Sequence, residues 1–210
     1  TGDYTILILF SVGITKGKWG TLIESLLAFK KLYDTGALAI DAIPSLKGKS
    51  PHYDTMTLKQ LCQQMHEKMR ELDLMNHISA AVNTDPEPVM TPAAAYQKVL
   101  RYKAEHIRLD DFSGRIAASM LVPYPPGIPV LMPGERLPHG DKGIMGYLRA
   151  LQEFDKHYPG FEHEIQGVNV DENGDFWVRA IIEDERDAVK KPEHVRFKRQ
   201  VASTIKKGRQ

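Results

Sequence analysis

The sequence predicts an α+β protein. Segments whose apolar residues recur at helical spacing alternate with short strand-like runs. Val168–Val170 and Phe176–Ile182 flank Asn173-Gly174, a hairpin signal because both turn residues tolerate positive φ. Five of the 13 prolines fall between Val122 and Glu135. Each proline ring holds φ at about −65° and removes an amide donor, so that stretch is rigid and cannot be a central strand.

The elements follow in order. Tyr4–Phe10 is a continuous apolar run, as expected for a strand over 4–11 buried on both faces. Trp19, Leu22, Ile23, Leu26, Phe29 and Tyr33 then recur with helical period, and Gly36 is the stop. A buried strand needs neighbours, and the chain has only one convincing run of this kind. Residues 1 to about 35 are therefore expected to be the end of a larger domain whose beginning lies outside this chain. Residues 36–56, punctuated by Pro44, Gly48 and Pro51, read as a linker. Thr57 and Gln60 form a capping box opening a helix with Leu58, Leu61, Cys62, Met65, Met69 and Leu72 inward. The run 83–88 breaks that pattern. Thr91-Pro92 starts a short helix ending at Leu100. Strands are expected at 105–109 and 115–122, leading into the proline run. Asp141 then caps a helix with Ile144, Leu148, Leu151 and Phe154 inward.

Within the proline run, Tyr124 precedes Pro125, and Pro125 precedes Pro126, so both are pushed toward extended backbone. Gly127 and Gly134 supply the turns, and the run ends at Glu135. Two readings fit: a structural loop covering a sheet edge, or one wall of a ligand site in which a phenol on a pre-ordered backbone loses little entropy on binding.

Composition excludes whole classes. With 42% hydrophobic and 26% charged residues the chain can bury a sizeable core and is not disordered as a whole. No apolar run approaches the ~20 residues that span a bilayer. Cys62 is the sole cysteine, so no internal disulfide exists, and the chain is expected in the cytoplasm. Net charge is +1, but residues 186–210 hold nine Lys/Arg against two Asp/Glu, leaving the rest of the chain at −6. That tail reads either as a solvated terminus or as an electrostatic contact for nucleic acid or an acidic partner.

Several motifs imitate chemistry. Gly13-Ile-Thr-Lys-Gly17 resembles a phosphate loop, but only three residues separate the glycines, and Trp19 stands where a metal-binding Ser or Thr is required. A tight strand-to-helix turn is the default, with a softer anion contact open to Lys16 or Lys18. His157 to Glu164 gathers imidazoles and carboxylates, but Pro159 and Gly160 forbid helical i, i+4 ligation, so surface loop histidines are expected. His139 borders the proline run. No complete catalytic set is visible.

Five ordered stretches carry a family likeness: Phe10–Trp19, Met90–Tyr96, Gly114–Ala118, Pro123–Glu135 and Tyr158–Glu162. Together, over about residues 1–182, they resemble the C-terminal third of the bacterial ornithine/lysine/arginine decarboxylases. The resemblance implies the end of an aminotransferase-type small domain (strand and helix, residues 1–35), an α+β C-terminal domain (36–183) and a basic tail (184–210). It also implies pyridoxal 5′-phosphate, held by a lysine in an upstream Ser-x-His-Lys segment that these 210 residues lack. No catalytic, cofactor-binding or metal-binding residue is therefore expected here, and the chain alone is expected to be inert.

By the same resemblance, Tyr124 and Glu135 are the substrate-entrance residues. Tyr124 matches a tyrosine near the entrance, while the Glu135 carboxylate either faces a cationic substrate or makes a structural hydrogen bond. The implied partners are the upstream cofactor-binding domain, further copies in a dimer or larger oligomer, and a small amino-acid substrate. Membrane and nucleic acid are not expected. The Gly13–Trp19 form is similar to that of lysine and arginine enzymes, with lysine favoured. The rival readings are a binding module using the basic tail and an assembly domain.

Overall fold

The computed structural model describes residues 15–124, 127–140 and 142–183, with Ile8 and Gly13 as isolated positions. The strand expected at 4–11, the pair Pro125-Pro126, the cap at Asp141 and the basic tail lie outside the described residues, Ile8 apart.

Helix α1, Lys16–Thr35, ends as expected at Gly36, whose φ of 69° lets its amide reach back to the last turn. Residues 36–56 depart from the linker expectation. They form a short helix α2, Ala39–Ala42, and two 3-10 turns, and they bury Ala39, Leu46 and Tyr53. Glycine and proline mark the turns between these pieces but do not keep the apolar residues from reaching the core. Burial pushes the Tyr53 phenol up to about 12.

Helix α3, Leu58–Glu71, carries the full capping box, with Gln60 N donating to Thr57 Oγ1 at 3.2 Å and Thr57 N donating to Gln60 Oε1 at 2.9 Å. Cys62 is partly buried, and desolvation raises its thiol pKa. The pattern then breaks at Asp73, which adopts φ 50°, and a second helix α4, Leu74–Val82, follows. Strand β1 is Glu87–Pro88. Helix α5, Pro92–Leu100, starts on Thr91, whose hydroxyl accepts from Ala94 N.

Strand β2, Ala104–Arg108, lies beside the hairpin formed by β6, Val168–Val170, and β7, Phe176–Ile181, in the order β2-β7-β6, all antiparallel. The hairpin expected around Asn173-Gly174 forms, with Gly174 alone of the two taking positive φ, at 75°. Asp171 organises the turn, accepting from Asn173 N, Asp175 N and Trp177 Nε1. The Trp177 bond first, and then the backbone amides, hold its carboxyl below the usual range.

Residues 115–121 do not form the expected strand. Ala117 N donates to Glu135 O while Ala118 N donates to Arg179 O, so consecutive residues bond to different neighbours and no ladder extends. Single bridges result at Ile116, Ala117 and Leu121, and the strand proper, β3, is only Val122–Tyr124. Strand β4, Glu135–Arg136, pairs with β1.

Helix α6, Ile144–His157, anchors the core. Ile144, Tyr147, Leu148, Leu151 and Phe154 are buried in one cluster with Leu74 and Ala81 of α4 and Phe176, Val178 and Ala180 of β7. Each of the larger aliphatic and aromatic side chains among them contributes about 1.5–3 kcal/mol by leaving water. The N-cap is Gly143 at φ 65°, and a Cβ there would meet Thr84 Oγ1 at 2.3 Å.

After α6 the chain forms β5, Glu164–Gln166, which pairs with β3, and then crosses Gly167 to become β6. Gly167 has φ 90°, and a Cβ on it would sit 2.1 Å from the Met120 carbonyl oxygen. That oxygen is backbone and cannot swing away. Gly167→Ala is expected to lower stability by about 2 kcal/mol, from positive-φ strain plus the clash. Urea denaturation checks it, and a loss below about 0.5 kcal/mol would show that this approach is pliable.

Candidate functional site

The proline run is a loop with buried feet and an exposed tip. Val122 and Pro123 are buried, as are Val130 and Leu131, while Tyr124 is 46% exposed. Three backbone bonds tie the feet: Leu121 N to Leu131 O, Val130 N to Leu121 O, and Gly127 N to Pro123 O at 2.8 Å. The Tyr124 ring folds back over Gly127, so that a Cβ at Gly127 would lie 2.8 Å from Tyr124 Cε1. The ring therefore rests against a glycine that also needs its φ of 77°.

Glu135 lies at the far end of the same loop. Its Oε2 accepts from Met132 N at 2.8 Å, and its own amide donates to Met132 O, closing the last turn. This is the structural hydrogen bond that the sequence left open. Gly134 beside it passes Met90 so closely that a Cβ would meet Met90 O at 2.4 Å. No hydrogen bond or ion pair joins Tyr124 to Glu135 among the described residues. The carboxylate set opposite Tyr124 is Glu164, its register partner across the β3–β5 pair. Sequence reasoning missed that placement, because a three-residue strand shows too little alternation to reveal a face.

His139 is exposed and stacks over Gly114, where a Cβ would meet its ring at 2.1 Å. Beneath it Arg136 makes a two-pronged pair with Glu183, at 2.9 and 2.8 Å, and donates to Gly114 O. The Glu183 bond raises the Arg136 pKa further. In the 157–164 segment the expectation of surface histidines needs correction at His163. Its Nδ1 lies 2.5 Å from Asp155 Oδ1, its amide donates to Asp155 Oδ2, and its ring meets Phe154 edge-on. No group of three His, Cys, Asp or Glu able to hold a metal ion occurs among the described residues.

Two open grooves accompany these features. One, of about 510 Å³, is lined by Glu71, His77, Asp110, Arg149 and Glu153, and the Arg149 guanidinium already pairs with Asp110 at 3.0 Å. The other, of about 400 Å³, is lined by Asp155, Lys156, Glu162, Asp171 and Glu172, with Lys156 paired to Asp175. A phosphorylated cofactor needs a free amine and a cluster of anion donors. These carboxylate-rich linings do not fit one.

Helix α1 presents an unusual face. Trp19, Ile23, Leu26 and Phe29, members of the apolar set read from helical spacing, are each close to half exposed, and Leu27 is 64% exposed. The helix touches α3, where Lys59 Nζ stands 6.0 Å over the Tyr33 ring, but leaves most of its apolar surface open. No helix among the described residues is long and apolar enough to cross a membrane.

Comparison with known proteins adds context to this geometry. Residues 75–182 match the family model described as Orn/Lys/Arg decarboxylase, C-terminal domain. The chain is 40% identical over 169 residues to the lysine decarboxylase LdcA of Pseudomonas aeruginosa, covering 80% of this chain and 22% of that protein. It is 37% identical over 171 residues to the biodegradative arginine decarboxylase of Escherichia coli, covering 81% and 23%. The structure of the constitutive lysine decarboxylase of E. coli superposes with a TM-score of 0.76 at 38% identity, covering 83% of this chain and 25% of that one. The chain thus spans about a quarter of the length of the relatives it matches.

Proposed function

The chain belongs to the Orn/Lys/Arg decarboxylase C-terminal domain family, and from that premise we propose that it is the C-terminal part of a cytoplasmic decarboxylase of basic amino acids, with lysine as substrate. The cofactor, pyridoxal 5′-phosphate on a lysine outside this chain, supplies the electron sink for loss of carbon dioxide. This chain supplies a wall of the substrate entrance and contacts with the upstream domain and with other subunits.

The observation that carries this reading is the half-exposed Tyr124 on a loop whose flanks are buried and hydrogen-bonded. A phenol held this way meets a ligand without an ordering cost. Glu135 serves the entrance by fixing the closing turn through Met132 N. The open apolar stripe of α1 supports a contact with protein beyond these residues, because contiguous exposed apolar patches mark interaction sites. Residues 1–35 are then the end of the small domain, and 36–183 the C-terminal domain proper. Preference for lysine is supported by the Gly13–Trp19 form and by the identity to lysine decarboxylases.

The full-length enzyme assayed with lysine, arginine and ornithine tests the proposal. Carbon dioxide release with the highest kcat/KM for lysine is expected. A clear ornithine preference would overturn the substrate assignment, and no release from any of the three would overturn the function.

A further inference from the structure

We propose that Glu164 is the carboxylate of the substrate entrance, and that with Tyr124 it receives the distal ammonium of a basic amino acid. The inference rests on the proposed decarboxylase reading and gives an entrance role to a residue that the sequence placed only in the His157–Glu164 cluster.

Val122, Pro123 and Tyr124 stand opposite Gln166, Ile165 and Glu164 in an antiparallel pair. Directly opposed residues share a face with Cβ atoms about 5 Å apart, so the Tyr124 and Glu164 side chains leave the backbone side by side. Both are exposed, while Pro123 and Ile165 on the other face are buried. A slip of one residue would turn Glu164 inward and Ile165 outward, so the burial of Ile165 holds the alignment. Gly167, packed on Met120 O, fixes the far end of β5, and the Asp155–His163 pair fixes the near end.

Charge points the same way. Among the described residues neither an ion pair nor a hydrogen bond engages the Glu164 carboxylate, whereas Glu135 Oε2 already accepts from Met132 N. The Tyr124 ring lies against Gly127 and the residue remains half exposed. A carboxylate beside an exposed aromatic face suits a primary ammonium, which can donate to the oxygen while lying within about 6 Å of the ring. The four-carbon stem of lysine carries such a group far from its reacting carbon. Binding energy gained there acts on ground and transition states alike, so it appears in KM rather than kcat.

The test uses the full-length enzyme. Glu164→Gln is expected to raise the KM for lysine roughly tenfold, the size of a partly exposed hydrogen bond to a charged group, with kcat within about twofold. Glu164→Asp should recover part of the loss. Tyr124→Ala should raise KM as well, and the double variant should cost less than the product of the two, because the pair acts on one group. An unchanged KM in Glu164→Gln would overturn the inference while leaving the decarboxylase reading intact. A fall in kcat accompanied by a lower melting temperature would also overturn it, marking a structural role. Wild-type enzyme that decarboxylates no basic amino acid would overturn the underlying reading instead.

Discussion

Purified by itself, the 210-residue chain is expected to release no carbon dioxide from lysine, arginine or ornithine, and to show no visible absorption after incubation with pyridoxal 5′-phosphate and dialysis. The reason is chemical rather than a matter of folding. No Ser-x-His-Lys segment occurs in the sequence, and the two grooves present carboxylates where a phosphate ester requires cations or amides. The lysine in the second groove, Lys156, is already committed to Asp175. Without an electron sink the carboxyl-bearing carbon has nowhere to place its electron pair, and the barrier stays near that of the uncatalysed reaction. Release above the buffer rate, measured with carboxyl-labelled substrate, would show that these residues hold a complete active site and would remove the need for an upstream domain.

The second large effect concerns stability. Asp155→Ala is expected to lower the unfolding free energy by about 3 kcal/mol. Asp155 is 7% exposed and accepts from two donors of a single residue, the amide of His163 at 3.1 Å and, at 2.5 Å, its ring nitrogen Nδ1. Removing the acceptor leaves both partly buried donors without that partner, and the desolvation cost of each is then uncompensated. Asp155→Asn keeps the shape and one acceptor and should cost about half as much. The change also releases the segment that delivers β5 to β3, so amide exchange at Ile165 should accelerate along with the fall in the denaturation midpoint. A loss under about 1 kcal/mol for Asp155→Ala would mean that solvent replaces the carboxylate, and that the pair does not hold the loop.

Much of the fold was legible because its signals are local. The Thr57–Gln60 box, the Thr91-Pro92 start and the Gly36 stop each act within one helical turn, so the chemistry that positions them can be read from adjacent residues. The inward face of α6 was equally plain, since Ile144, Leu148, Leu151 and Phe154 at period 3.6 leave one solution, to which the structure adds Tyr147. Where the reading missed, the deciding partner was distant in sequence. Residues 115–121 have strand composition, yet Ala117 and Ala118 bond to segments 18 and 61 positions away, and no local rule divides them. Residues 36–56 carry breakers at linker density, but Leu46 and Tyr53 find the core only because the rest of the fold reaches them.

The candidate site divides in the same way. From the residues alone came a stiff, proline-ruled segment presenting Tyr124, because φ restriction is a property of the ring and its neighbour. Glu135 closes its own turn through Met132 N, three residues back, whereas the pairing of His163 with Asp155 and the place of Glu164 opposite Tyr124 were decided by how separate segments meet. Torsional preferences belong to single residues and survive in the written sequence. Register, burial and the choice of hydrogen-bond partner belong to pairs of segments, and they exist only once the chain has closed on itself.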